Sequence, residues 1–129
     1  MQKIVLFSLG VLYVFLGVWC AVAPTATANA LGYELDAMGK VEYIVVYGGL
    51  EWGLGLAMIF GAVNSTLRSG VFFMTIVFST ILPVTRCGLL VSQQAYNKTV
   101  LGMLTVETVI VLMLLIAFFV DQKSGLTKR

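Results

Sequence analysis

Four long, predominantly apolar runs, at about residues 4–23, 41–63, 70–91 and 100–120, take up most of this chain and leave only short connections between them. A helix rises about 1.5 Å per residue, so roughly 20 apolar residues cross a hydrocarbon core about 30 Å thick. Each run meets that length. In lipid the backbone must satisfy its own hydrogen bonds, and a helix does so within one segment. The expected fold is therefore all-α, an integral membrane bundle of four transmembrane helices forming a single domain over residues 1–129. The composition agrees: 60% of residues are hydrophobic and 11% charged, where a soluble domain carries about a quarter charged.

The first run shares features with a signal peptide. Lys3 supplies a positive start, and Ala28-Asn29-Ala30 has the small-x-small form of a cleavage site. Against this, the apolar stretch exceeds a signal core in length, and Pro24 to Asn29 separates it from that site. A lipoprotein signal at Cys20 fails because Trp19 stands where a small residue is needed. The expectation is a retained helix.

Lys3, Arg68, Lys123, Lys128 and Arg129 fall on one side of the four spans, and Lys40 and Lys98 on the other. By the positive-inside rule, both termini and the Asn64 to Ser69 turn are expected to be cytoplasmic, in a bacterial inner membrane. The loop from Pro24 to Lys40 and the Ser92 to Lys98 turn then face outward. Trp19, Tyr33, Tyr43, Tyr47 and Tyr96 gather toward that outer face, as an interfacial aromatic belt does.

Three spans each place one charge in a similar layer. Counted from the outer boundary, Glu51 lies roughly 15 Å deep, Arg86 roughly 8 Å and Glu107 roughly 10 Å. Charges at membrane depth are costly, face the protein interior or a wet cavity, and usually pair. The expected arrangement is a buried cluster in which Arg86 bridges both carboxylates. Glu51 shares a helix face with Tyr47, Gly48, Gly55 and Ala62, while Gly49, Gly53, Ala57 and Gly61 form a small-residue ridge on the other flank. On the third span Thr75, Ser79, Arg86 and Gln93 make a polar stripe beside Pro83, which removes a backbone donor. The candidate binding residues are therefore Glu51, Arg86, Glu107, Tyr47, Ser79 and Gln93. The candidate packing residues are Gly48, Gly49, Gly53, Gly55, Ala57 and Gly61.

The segment "VYGGLEWGLGL" on the second span, with an arginine late in the third and a glutamate early in the fourth, resembles an uncharacterised family of small bacterial four-helix membrane proteins, a domain of unknown function. The resemblance covers most of the chain, with the "YGG" segment its most specific motif. Arg86 and Glu107 match the family's arginine and glutamate. Thr85 departs from it, standing where the family more often has glycine. The resemblance implies an inner-membrane four-helix fold and no known activity.

Several chemistries are excluded or unsupported. The chain has no histidine, so neither a Ser-His-Asp triad nor a His-ligated metal site can form. Cys20 and Cys87 make no C-x-x-C motif and are expected to be packed, inert thiols. No glycine-rich phosphate loop is present, and a net charge of +2 without a basic cluster argues against nucleic acid. No metal or cofactor is expected, and no enzymatic activity. One arginine facing two carboxylates leaves an excess negative charge, which a proton, a cation or a partner's donor would complete. The expected function is a binding or accessory protein holding a lipidic ligand or a partner, with membrane lipids, a larger membrane complex or a second copy as its company. The alternative is a small proton- or cation-coupled transporter of the small multidrug-resistance type. Those carry their essential glutamate on the first helix, where this chain has only Lys3 as an ionisable residue. An arginine beside the carboxylate would also oppose proton cycling.

Overall fold

The computed structural model describes residues 1–93 and 98–126, and over them the chain is all-helical. Helix α1 (Gln2–Val22) is followed by a short α2 (Pro24–Leu31). Next come α3 (Ala37–Tyr43), a π-helical segment (Ile44–Leu50) and α4 (Glu51–Val63), which run on as one rod. Two long helices complete the chain, α5 (Ser65–Gln93) and α6 (Lys98–Leu126). Four stretches, Gln2–Val22, Ala37–Val63, Ser65–Ser92 and Lys98–Asp121, are long and apolar enough to cross a membrane.

Local chemistry sets the boundaries. Pro24 opens α2, where its missing N–H is no loss. The helix ends at Gly32, whose φ of 85° is a left-handed conformation that favours glycine. Asp36 caps α3 by accepting the Gly39 N–H at 2.6 Å, so the second rod begins at Ala37, ahead of the apolar run at 41. Asn64 is the single residue between α4 and α5, and its Oδ1 accepts the N–H groups of Thr66 and Leu67 at 3.0 and 3.4 Å. The segment before Gly32, read from sequence as loop, is therefore partly helical. Its Thr, Ala and Asn residues carry no periodic apolar face to reveal that.

Helix α1 and the second rod pack antiparallel with their backbones in contact. A Cβ on Gly17 would stand 2.7 Å from the Gly48 carbonyl oxygen and the Trp52 nitrogen. One on Gly55 would stand 2.7 Å from the Gly10 carbonyl oxygen and the Val14 nitrogen. Gly10 and Gly17 are seven residues apart, as are Gly48 and Gly55, so two glycine notches on each partner meet. The expected ridge on the other flank behaves differently. Gly49 and Gly53 have open space around them, Ala57 is exposed, and of that row Gly61 meets a neighbour, a Cβ there falling 2.7 Å from Val71. The seven-residue spacing on α1 selects the Gly48/Gly55 face and leaves the four-residue row outside the contact.

One core at the end that holds Met1 draws on all four rods: Leu6, Leu9, Met58, Ala62, Phe72, Leu114 and Ala117. At the same end the Met1 amino group and the Gln2 N–H each donate to Asp121 at 3.0 Å, joining the start of α1 to α6. A second cluster at the opposite end holds Cys20, Ala28 and Tyr43, with Leu31, Leu35 and Tyr47 packed against it. There the expected aromatic belt is in part an internal stack. Tyr43 is buried, its ring lies 4.7 Å from that of Tyr47, and Tyr33 lies 6.4 Å from Tyr47. Tyr43 and Tyr47 are four residues apart on one rod, the spacing at which side chains on a helix face each other. Tyr96 lies outside the described residues.

Candidate functional site

Between the two cores lies the polar layer. Arg86 on α5 and Glu107 on α6 form a two-pronged pair: the arginine Nε donates to Oε2 at 2.9 Å and Nη2 to Oε1 at 2.5 Å. The side chains are 21% and 14% exposed. A fork of this geometry satisfies one edge of the guanidinium with one carboxylate.

Glu51 is not part of it. Among the described residues it makes no ion pair, and the expected Glu51–Arg86–Glu107 cluster does not form. Counting residues along each span gives a charge its height but not its direction around the bundle. Here the π-helical segment ends immediately before Glu51 and changes the angular register of the rod. Tyr47 lines a cavity of about 370 Å³ together with Arg86, Thr85 and Tyr33. It also lines a second cavity, of about 340 Å³, together with Glu51. The phenol ring thus forms a wall shared by the acidic cavity and the arginine cavity.

The Glu51 cavity is bounded by Leu16, Trp19 and Cys20 of α1, Thr27 and Leu31 of α2, and Met103 of α6. Helix α2 covers it from the end of the bundle opposite Met1. The Thr27 hydroxyl donates to the carbonyls of Ala23 and Pro24 at 3.0 and 3.1 Å, and is buried. The Cys20 sulfur lies 3.7 Å from the Tyr43 hydroxyl. Cys20 is buried as expected of a packed thiol, whereas Cys87 is exposed on the surface of α5, a correction to that expectation.

On the polar stripe of α5, Thr75 and Ser79 are buried and Thr75 donates to the Val71 carbonyl at 2.8 Å. Pro83 lies within the helix and supplies no N–H to the Ser79 carbonyl four residues earlier. Gln93 closes α5, and its side chain lies outside the described residues. Tyr13 of α1, which sequence reasoning passed over, is half-buried in mid-span and packs against the core shared by the four rods. The available signal was a phenol with a polar handle in mid-span. Thr27 was missed because α2 was read as loop. No family model, no curated protein and no solved structure matches the chain.

Proposed function

We propose that this chain is a multi-pass protein of a bacterial inner membrane, with both termini cytoplasmic, that works by binding and is not an enzyme. Its site is the Glu51 cavity in the outer half of the membrane, and the occupant is a lipidic ligand or an apolar segment of a partner. The observation that carries this reading is a half-buried carboxylate that has no ion-pair partner among the described residues, on the wall of a mostly apolar cavity. A charge at membrane depth needs a partner or water. Arg86 and Glu107 satisfy each other and act as a lock between α5 and α6.

The orientation rests on Lys3, Arg68 and Lys123, which share the end of the bundle with the Met1–Asp121 contact. Helices α5 and α6 leave most of their apolar surface exposed, which suits lipid, a second copy or a larger complex. The test is gentle purification followed by mass spectrometry of what stays bound. Wild type is expected to retain an amphiphile that Glu51→Gln loses; identical bound material in both contradicts the reading.

A second reading, a small proton- or cation-coupled transporter, draws on one observation. Glu51 stands apart from Arg86, so the objection that an arginine would oppose proton cycling no longer applies. Proteoliposomes holding a pH gradient discriminate: a gradient that added amphiphiles leave intact rules transport out.

A further inference from the structure

We infer that the Glu51 cavity takes a monocationic amphiphile, an ammonium head against the carboxylate with one short aryl or alkyl chain in the apolar part. The inference rests on the reading of this cavity as a ligand site, and four observations narrow its occupant. First, among the described residues Glu51 is the charged residue on the wall and no lysine or arginine lines it, so an anionic head would meet a carboxylate without a counter-charge. Arg86 belongs to the neighbouring cavity beyond Tyr47, with one edge of its fork on Glu107. Second, the Thr27 hydroxyl on the α2 side of the wall gives its proton to the Ala23 and Pro24 carbonyls and so offers a head group no donor. A head rich in N–H donors suits such a wall better than a carbonyl or a phosphate.

Third, Trp19 and Tyr47 line the same cavity as the carboxylate, and aromatic faces attract cations within about 6 Å. Fourth, a volume of about 340 Å³ is near the lower end of small-molecule sites, which run from about 300 to 1,000 Å³. That suits a head group with one short chain better than a two-chain phospholipid.

The experiment uses three probes with one skeleton: phenylbutylamine, phenylbutanol and phenylbutyrate. Each is titrated into the full chain in phosphatidylcholine nanodiscs, with empty nanodiscs subtracted. The amine is expected to bind about tenfold tighter than the alcohol, and the acid more weakly than either. Glu51→Gln is expected to bring the amine down to the level of the alcohol, with the alcohol losing much less than the amine. Ala30→Trp, which crowds the cavity from α2 without touching the carboxylate, is expected to weaken amine and alcohol together. It keeps the test decisive should Glu51→Gln fail to fold. An alcohol that binds as tightly as the amine, or an amine affinity unchanged in Glu51→Gln, overturns the cationic class while leaving the cavity a ligand site. If none of the three probes binds wild type, the ligand-site reading fails as well.

Discussion

Glu107 is held by the two-pronged grip of Arg86, while Glu51, one helix over, faces its cavity without an ion-pair partner. The two carboxylates should therefore answer substitution in opposite ways. Arg86→Leu strands Glu107 without a counter-charge, and removing one partner of a buried pair costs about 3 to 5 kcal/mol. Replacing both, as Arg86→Leu with Glu107→Leu, is expected to recover most of that loss, since well-packed apolar pairs often match buried ion pairs. Glu51→Gln is expected to be neutral or stabilising in the ligand-free protein, because it removes a half-buried charge that lacks a partner. Melting curves of the four proteins in detergent check this. A loss on Glu51→Gln as large as that of Arg86→Leu would return Glu51 to the Arg86 network. At this scale the heights of the three charges were legible from residue counting, and Arg86 and Glu107 do meet. Direction was not legible, because it depends on a π-helical register that apolar periodicity does not encode.

At the scale of elements, glycine spacing decides which helices touch. Gly55 meets the α1 backbone, whereas Gly53, two residues earlier, meets nothing within 4 Å. Gly55→Ala forces a backbone contact apart and is expected to cost about 1 to 3 kcal/mol. Gly53→Ala is expected to be neutral or to stabilise by up to about 1 kcal/mol through helix propensity. Equilibrium unfolding of the two variants compares them, and equal losses would show that α1 does not dock on the Gly48/Gly55 face. Both rows were visible in the sequence, as Gly48 with Gly55 and as Gly49, Gly53, Ala57 and Gly61. The choice between them lay in α1, where Gly10 and Gly17 repeat the seven-residue interval. The start of the second rod was set by one polar side chain, the Asp36 cap, and a hydropathy pattern cannot register such a cap.

For the whole molecule, four long apolar runs separated by short connections were enough to read a four-helix bundle, because backbone in lipid has few alternatives. The lid formed by α2 and the division of the polar layer into two cavities were not readable, since both arise from how the rods turn against one another. The topology we propose puts the C-terminus in the cytoplasm and the Gly32 turn outside. Reporter fusions after Arg129 and within Gly32 to Leu35 are expected to report opposite sides. The central claim is that Glu51 faces a cavity beneath α2, separate from the packed core and reached past that helix from the side we propose to be outer. The most direct measurement places a single cysteine, Glu51→Cys, in a chain carrying Cys20→Ala and Cys87→Ala, and adds a small membrane-impermeant thiol reagent to right-side-out vesicles. Labelling at position 51 is predicted, with none for Ser79→Cys, whose site is buried. Absence of labelling at 51, or labelling only after the inner face is exposed, would contradict the account.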